Sequence, residues 1–131
     1  MRILVVEDEF LSRMVIQKIL SQHGDCDIAV DGEEAIHAFK LAHEDGKPYD
    51  LICMDIMMPN INGQEALKKI RELEFGMEIK GANEVKIIMT TALGDAKTVV
   101  SSYKEGATSY IVKPISKDKL LEEVKKLGLL L

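Results

Sequence analysis

Polar residues that can do chemistry stand at the ends of four short apolar runs in this chain of 131 residues. They are Glu7 and Asp8 after residues 3–6, Asp55 after 51–54, Thr90 and Thr91 after 85–89, and Lys113 after 110–112. Each alone has an ordinary structural explanation, because Asp favours turns, Thr favours strands and Lys is usually solvated. Their joint occurrence at the ends of such runs favours a common site.

The predicted chemistry of that site follows from its charges. Three carboxylates in one crevice cannot all stay ionised without a partner, because like charges force protons onto some of them. Mg²⁺ is a hard cation that takes oxygen ligands and keeps part of its hydration shell. One Mg²⁺ and the ammonium of Lys113 would neutralise Glu7, Asp8 and Asp55. A cation and a lysine directed at one carboxylate stabilise phosphoryl transfer, so the residues predict this reaction.

Five strand-then-helix repeats are predicted to position these residues. The apolar runs are residues 3–6, 28–30 with Cys26 just before, 51–54, 85–89 and 110–112. Apolar residues with a helical period of three to four lie between and after them. These predicted stripes are Leu11, Met14, Val15 and Ile19; Ala35, Phe39 and Ala42; Ala66, Ile70 and Leu73; Ala96, Val99, Val100 and Tyr103; and Leu120, Val124 and Leu127.

Local signals agree with this pattern. Asp31 and Asn62 each stand three residues before a glutamate, as helix N-caps do. Left-handed glycines are predicted where helices end, at Gly24, Gly106 and Gly128. The long connection 74–84 is predicted to extend the third helix before a loop. Strands that are apolar throughout are typical of a parallel sheet covered by helices on both faces, and right-handed crossovers then give a five-stranded α/β sandwich. Ligands bind such sheets at the carboxyl ends of the strands.

Composition restricts the class of protein. The formal charge of −5 argues against a nucleic-acid surface, which needs a clustered basic patch. No apolar run approaches the ~20 residues that span a bilayer, so no membrane association is expected. Cys26 and Cys53 lie in apolar runs and are predicted to be reduced and buried. We therefore expect a cytoplasmic protein whose residues 1–131 form one domain.

Four motifs resemble the receiver domain of bacterial response regulators, the CheY-like family. They are VVEDE, MDIMMPNINGQEA, MTTA and YIVKP, and the resemblance covers essentially the whole chain. It implies a doubly wound, flavodoxin-like sheet with strand order 2-1-3-4-5. It also implies a signalling phosphoacceptor rather than an enzyme, with a histidine kinase or phosphotransfer protein as donor and a downstream effector protein as partner.

The resemblance implies a role for each matching residue. Asp55 would be the phosphoacceptor, and Lys113 would bind the phosphoryl group. Asp8 and the main-chain carbonyl of Met57 would bind Mg²⁺ with Asp55, and Glu7 would act through water. Thr91 and Tyr110 would be the switch pair that changes a surface made by the fourth helix, the fifth strand and the fifth helix. The Lys113–Pro114 bond would be cis.

Some residues are particular to this chain. Only one of two consecutive strand residues can face the crevice, and the Thr-Ala step of the family selects Thr91, which leaves Thr90 as a packing residue. Glu7 replaces the more usual aspartate. Met57 and Leu93, two residues beyond Asp55 and Thr91, are both apolar. Neither can orient an attacking water, so a long-lived phosphorylated state is expected.

Three other interpretations fit the residues less well. An FMN-binding flavodoxin would share the fold but needs a hydroxyl- and glycine-rich phosphate loop, whereas strand 1 leads into acids. A haloacid-dehalogenase-type phosphatase needs a second acid two residues beyond its nucleophile, where Met57 stands. A degenerate receiver that only binds partners would not need a chemically competent residue at every functional position, as this sequence has. Without an output domain in the sequence, either a motor or chemotaxis effector or a phosphorelay step remains open downstream.

Overall fold

The computed structural model describes residues 1–92 and 96–130, and over these ranges strands and α-helices alternate as predicted. All strands are parallel, in the order β2-β1-β3-β4-β5, which confirms the predicted fold class. The elements are β1 Arg2–Val6, α1 Phe10–Leu20, β2 Asp25–Ala29, α2 Gly32–Glu44, β3 Leu51–Asp55, α3 Gly63–Gly76, a 3₁₀ turn Gly81–Asn83, β4 Lys86–Thr91, α4 Ala96–Lys104, β5 Ser109–Val112 and α5 Lys117–Lys126.

Two hydrophobic clusters lie on opposite faces of the sheet. Alternate residues of each central strand enter different clusters, as in a sheet covered on both sides. One face packs on α2 and α3 through Ala35, Phe39, Ala42, Ala66, Leu67 and Ile70. The other face packs on α1 and α5 through Ile16, Ile19, Leu20, Leu120 and Val124. The predicted stripes of α2, α3 and α5 are therefore confirmed.

The predicted stripe of α1 is wrong at three of its four residues. Leu11, Met14 and Val15 are exposed, whereas Ile19 is buried as predicted, together with Ile16 and Leu20. Apolar residues cover most of the circumference of this helix, so periodicity alone does not tell which arc faces the core. The consequence is an exposed apolar face on α1.

The predicted stripe of α4 is also wrong. Val100 and Tyr103 are exposed, and the one residue that α4 buries is Ser102. The hydroxyl of Ser102 accepts a hydrogen bond from Gln64 Nε2 at 3.4 Å. Helix α4 is therefore held partly by a polar contact to α3 rather than by an apolar stripe.

The helix ends follow the predictions except at Gly24. Asp31 and Asn62 are N-caps that accept hydrogen bonds from the main-chain N–H groups of Glu34 and Glu65. Gly106 and Gly128 have the predicted positive φ. Gly24 does not, because α1 already ends at Leu20; a Cβ at Gly24 would instead lie 2.3 Å from the Met1 carbonyl oxygen. Close packing, not a left-handed turn, accounts for this glycine.

The extended third helix is confirmed, and a buried ion pair fixes its last turn. Arg71 donates to Glu74 Oε1 at 2.6 Å, and Glu74 Oε2 accepts from the N–H of Val85 at 2.7 Å. Arg71 also donates to the carbonyls of Val85 and Gly106. This cluster joins α3 to the start of β4 and to the loop before β5.

Within the part of the chain that the structure describes, no helix has both the length and the apolar character needed to cross a membrane.

Strand β2 begins at Asp25, three residues before its predicted start, because the ladder with β1 extends to Arg2. Cys53 is buried and Cys26 is half-buried, and both are free thiols.

Candidate functional site

Three carboxylates converge where β1 and β3 end. The two strands are neighbours, and their register pairs Val5 with Cys53, so Glu7 comes level with Asp55. Carboxylate oxygens of Glu7, Asp8 and Asp55 all lie within 4.8 Å of one another. The structure therefore brings together the three acids that the sequence predicts.

The three acids differ in their exposure. Glu7 is fully buried, Asp55 is 4% exposed, and Asp8 is open to solvent. The main-chain N–H of Glu9 donates to Glu7 Oε2 at 3.4 Å, and Arg13 Nη1 donates to the Glu7 carbonyl at 3.0 Å. The cluster thus has a buried inner side at Glu7 and an open outer side at Asp8.

Lys113 supplies the positive charge of the site. Its Nζ lies 2.5 Å from Glu7 Oε1 and 3.4 Å from Asp55 Oδ1. The Lys113–Pro114 peptide bond is cis, as expected. The N–H of Lys113 donates to the Thr91 carbonyl at 2.7 Å, which continues the ladder between β4 and β5 beyond Val112. In this structure Lys113 Nζ is closer to Glu7 than to Asp55, the predicted phosphoacceptor.

These contacts shift the ionisation of the buried pair. Burial raises the pKa of Glu7 above its ordinary value; the hydrogen bond to Lys113 partly lowers it, and the neighbouring Asp55 raises it again. Burial alone would lower the pKa of Lys113, but the hydrogen bond to Glu7 and the charges of both acids outweigh it, so that pKa is raised. The lysine therefore stays charged at neutral pH.

The donor set fits a hard divalent cation. Three carboxylates offer oxygen ligands on one side, and the exposed Asp8 leaves the other side open to water or to a phosphoryl oxygen. Crowded carboxylates with one lysine carry an excess of negative charge, which a divalent cation would offset. The acidic pocket thus has the composition that Mg²⁺ binding requires.

Strands β4 and β5 place the predicted switch residues on one face of the sheet. Thr91 pairs with Val112, and Met89 pairs with Tyr110, so Thr91 and Tyr110 lie on the same side of adjacent strands. Thr91 is fully buried and Tyr110 half-buried, and Tyr110 packs against the cluster on the α2 and α3 face. The two residues are thus diagonal neighbours across adjacent strands.

The loop after β3 holds one predicted residue and one that the sequence reasoning missed. Met57 is 63% exposed at the rim of the site. Leu93 lies outside the described residues. Gly63 was not predicted: a Cβ there would lie 2.1 Å from the Asp55 carbonyl oxygen, and its N–H donates to the Ile56 carbonyl. Gly63 thereby allows the start of α3 to pack against the end of β3. Its position in the motif NINGQEA, directly after the predicted N-cap Asn62, is the sequence feature that could have identified it.

A groove beside Lys113 connects the site to the exposed face of α1. It has a volume of about 500 Å³ and is lined by Leu11, Ser12, Val15, Ile16, Lys113, Pro114 and Ile115. Most of its lining is apolar, while Lys113 also contacts the acidic cluster. The apolar face of α1 is thus continuous with the edge of the site.

A doubly wound parallel sheet with an acidic pocket and a lysine at its strand ends is the arrangement of a receiver domain of two-component signalling. The profile of the response regulator receiver domain matches residues 3–125, and the chain belongs to that family.

Relatives and solved structures agree with this assignment. The chemotaxis protein CheY of Bacillus subtilis is 34% identical over 125 residues, which cover 95% of both chains. The crystal structure of the CheX–CheY–BeF3–Mg complex from Borrelia burgdorferi contains a chain that is similar in structure, with a TM-score of 0.84, 29% identity and coverage of 97% of this chain and 88% of that chain. The co-crystal structure of the phosphotransfer protein Ypd1 with the Ssk1 receiver domain, from Saccharomyces cerevisiae, contains a chain with a TM-score of 0.84, 26% identity and coverage of 98% and 88%.

Proposed function

We propose that Asp55 accepts a phosphoryl group from a phosphohistidine on a partner protein, and that residues 1–131 act as one receiver domain. The observation that carries the proposal is the convergence of Glu7, Asp8 and Asp55 within 4.8 Å, with Lys113 3.4 Å from Asp55. This arrangement combines a carboxylate nucleophile with the charges that a phosphoryl group needs around it. The role is that of a signalling phosphoacceptor and not of an enzyme that turns over a substrate.

In the proposed reaction an Asp55 carboxylate oxygen forms a new bond to phosphorus as the bond from phosphorus to the donor imidazole nitrogen breaks. The electron pair of the broken bond stays on the imidazole, which then takes a proton from water. Lys113 would bind an oxygen of the transferred group, and Asp8, Asp55 and the Met57 carbonyl would hold Mg²⁺, with Glu7 in contact through water. When bound, Mg²⁺ supplies charge neutralisation for the transferred phosphoryl oxygens.

The proposed output is a change of the surface made by α4, β5 and α5. The Thr91 hydroxyl would bond a phosphoryl oxygen, and its movement would free space for Tyr110 on the same face. Helix α4 suits this role because it is held weakly: it buries Ser102 and leaves Val100 and Tyr103 exposed. An effector protein would then recognise the rearranged surface.

The exposed face of α1 is the proposed docking surface for the phosphodonor. Its four apolar residues are 47–66% exposed, and they are Phe10, Leu11, Met14 and Val15. An apolar helical surface around the donor histidine would cover this face and bring the phosphohistidine over Asp55. Leu11→Glu should slow transfer from a phosphohistidine protein but not from acetyl phosphate. Leu41→Glu, on the exposed face of α2, is the matched control.

Acetyl phosphate tests the central assignment without a partner. With Mg²⁺ present, intact-mass spectrometry should show one phosphoryl adduct on the wild-type protein. Asp55→Asn should abolish it. An adduct of full yield on the Asn variant would overturn the assignment of Asp55.

A further inference from the structure

Thr90 carries a buried hydroxyl that has no hydrogen-bond partner. The residue is 1% exposed, and among the described residues its Oγ1 is the one buried side-chain polar atom without a partner. A buried polar group left unpaired destabilises a fold. Valine has nearly the same shape and would fill the position without that cost, so packing accounts for the burial of Thr90 but not for its hydroxyl.

The sheet register places Thr90 beside the predicted phosphoacceptor. Thr90 and Asp55 are direct partners in the ladder between β3 and β4, and so they lie on the same face of the sheet. Adjacent strands are about 4.8 Å apart, so the two side chains are neighbours. Glu7 comes level with Asp55 on the other side, since Val5 pairs with Cys53 two residues earlier. Glu7, Asp55 and Thr90 thus form one row across three strands.

The Asp55 carboxylate is a suitable hydrogen-bond acceptor for the Thr90 hydroxyl. Lys113 Nζ lies 2.5 Å from Glu7 Oε1 but 3.4 Å from Asp55 Oδ1, so the shorter contact of the lysine is to Glu7 and not to Asp55. A threonine hydroxyl can turn between staggered positions about a single bond without moving the backbone. Thr90 Oγ1 can therefore be redirected toward Asp55 while β4 stays in place.

We propose that Thr90 is a positioning residue for the phosphoacceptor: its hydroxyl donates a hydrogen bond to the Asp55 carboxylate in the arrangement in which that carboxylate attacks phosphorus. The inference rests on the proposed function of Asp55. The bond would hold the carboxylate plane so that the attacking oxygen faces the crevice, and it would not require the lysine to leave Glu7. Thr91, the last residue of β4 and one step beyond the level of Asp55, would keep its separate role as the switch hydroxyl.

The position of the hydroxyl separates this role from simple packing. A group that bonds only in the reactive arrangement weakens the resting protein and speeds the reaction. A packing threonine with the same unpaired hydroxyl would weaken the fold but leave the rate unchanged. Removal of the hydroxyl should therefore keep or raise stability and lower the phosphorylation rate, and the loss of rate is the effect that a merely structural role would not give.

The test uses Thr90→Val and Thr90→Ser in the full chain. With saturating Mg²⁺ and acetyl phosphate, the Val variant should be phosphorylated about tenfold more slowly, the loss expected for one hydrogen bond to a charged group. The Ser variant, which keeps the hydroxyl, should restore the rate to within about twofold of wild type, well inside the tenfold effect. Without Mg²⁺ the thermal midpoint of the Val variant should equal or exceed that of wild type.

Thr108→Val is the matched control, because its hydroxyl is already bonded. Thr108 Oγ1 accepts from the N–H of Ile87 at 3.0 Å and from Arg71 Nη2 at 3.3 Å. This variant should lose a few degrees of thermal midpoint, since about 1 kcal/mol corresponds to roughly 4 °C in a domain of this size, and should keep the wild-type phosphorylation rate.

Three outcomes would overturn the inference. One is a Val variant phosphorylated at the wild-type rate. Another is a Val variant destabilised as much as Thr108→Val, which would mean that the hydroxyl is bonded in the resting protein. The third is a Ser variant as slow as Val. Absence of an adduct on the wild-type protein would instead be a failure of the proposed function, so the two failures are distinct.

Discussion

Lys113 Nζ donates a hydrogen bond to Glu7 Oε1 at 2.5 Å. The Glu7 side chain is fully buried, and its extra methylene, compared with the aspartate more usual at this position, extends its reach across the site toward the lysine. The pair therefore neutralises a buried charge at the inner side of the acidic cluster. In this structure that contact is shorter than the one from Lys113 to Asp55, 3.4 Å.

Removal of the lysine should be costly because it leaves Glu7 buried without its positively charged partner. Lys113→Met should lower the free energy of unfolding at neutral pH by about 3 kcal/mol, as for other broken buried pairs. Urea denaturation measures it. Adding Glu7→Gln to that variant should restore part of the loss, since the uncompensated charge is then gone. A loss below ~1 kcal/mol, or no recovery in the double variant, would show that the pair is not coupled.

The cost of Lys113→Met should also depend on pH. Burial raises the pKa of Glu7, and Lys113→Met removes the hydrogen bond and the charge that partly lower it. The folded state then binds the Glu7 proton more tightly than the unfolded state does, so stability falls as pH rises through the titration of this group. The variant should approach wild type as the pH is lowered from 7 toward 5. A pH-independent gap would contradict this explanation.

Mg²⁺ should stabilise the protein through the acidic cluster. A ligand at 100 times its dissociation constant adds about 2.7 kcal/mol to the free energy of unfolding, and chelation should remove the gain. Asp8→Asn and Asp55→Asn should each reduce the Mg²⁺-dependent rise in thermal midpoint. Asp25→Asn, an exposed acid at the start of β2, is the control. An equal response in all four proteins would place the ion elsewhere.

The ion pair at the end of α3 should matter far more than those on the surface. Arg71→Met leaves the buried Glu74 with the Val85 N–H but without its cation, and it also removes the donors to the carbonyls of Val85 and Gly106. We expect a loss of about 3–5 kcal/mol in the free energy of unfolding. Lys126→Met, which breaks exposed pairs on α5, should cost about 0–1 kcal/mol. If Arg71→Met and Lys126→Met lower the free energy of unfolding by similar amounts, the buried pair contributes no more to stability than the exposed pairs.

Sequence and structure agree where a residue type and its place on a strand determine the outcome. Asp55 and Lys113 end apolar strands, and parallel strands bring their carboxyl ends to one edge, so their convergence could be predicted without coordinates. The same holds for Asp31 and Asn62, because capping is a local interaction.

The sequence could not predict features that depend on how elements pack. Helix α1 has apolar residues on most of its circumference, and only its seating on β1 shows that Ile16 is buried and Leu11 exposed. The shorter contact of Lys113 with Glu7 than with Asp55 depends on where the two side chains end in the folded site, which the sequence does not give. The unpaired hydroxyl of Thr90 depends on strand register, which a run of threonines does not specify.

The phosphorylated state should be long-lived because Met57 lies at the rim of the site. Hydrolysis needs a water in line with the phosphorus on the side that faces solvent, and we expect Met57, two residues beyond Asp55, to flank that approach. Its side chain is 63% exposed and not held by the core, so it is free to fold over the site. A thioether is only a weak acceptor and cannot orient an attacking water as an amide can.

Met57→Asn should therefore shorten the phosphorylated lifetime, and a tenfold change requires only about 1.4 kcal/mol in the barrier. The measurement is loss of the phosphoryl adduct over time by mass spectrometry, after removal of acetyl phosphate. Met58→Leu is the control, because Met58 is half-buried against the core and should alter packing without admitting water. Leu93→Glu, two residues beyond Thr91, should act in the same direction as Met57→Asn. If the Asn variant loses phosphate at the wild-type rate or more slowly, Met57 does not restrict the water, and the lifetime is set by other groups.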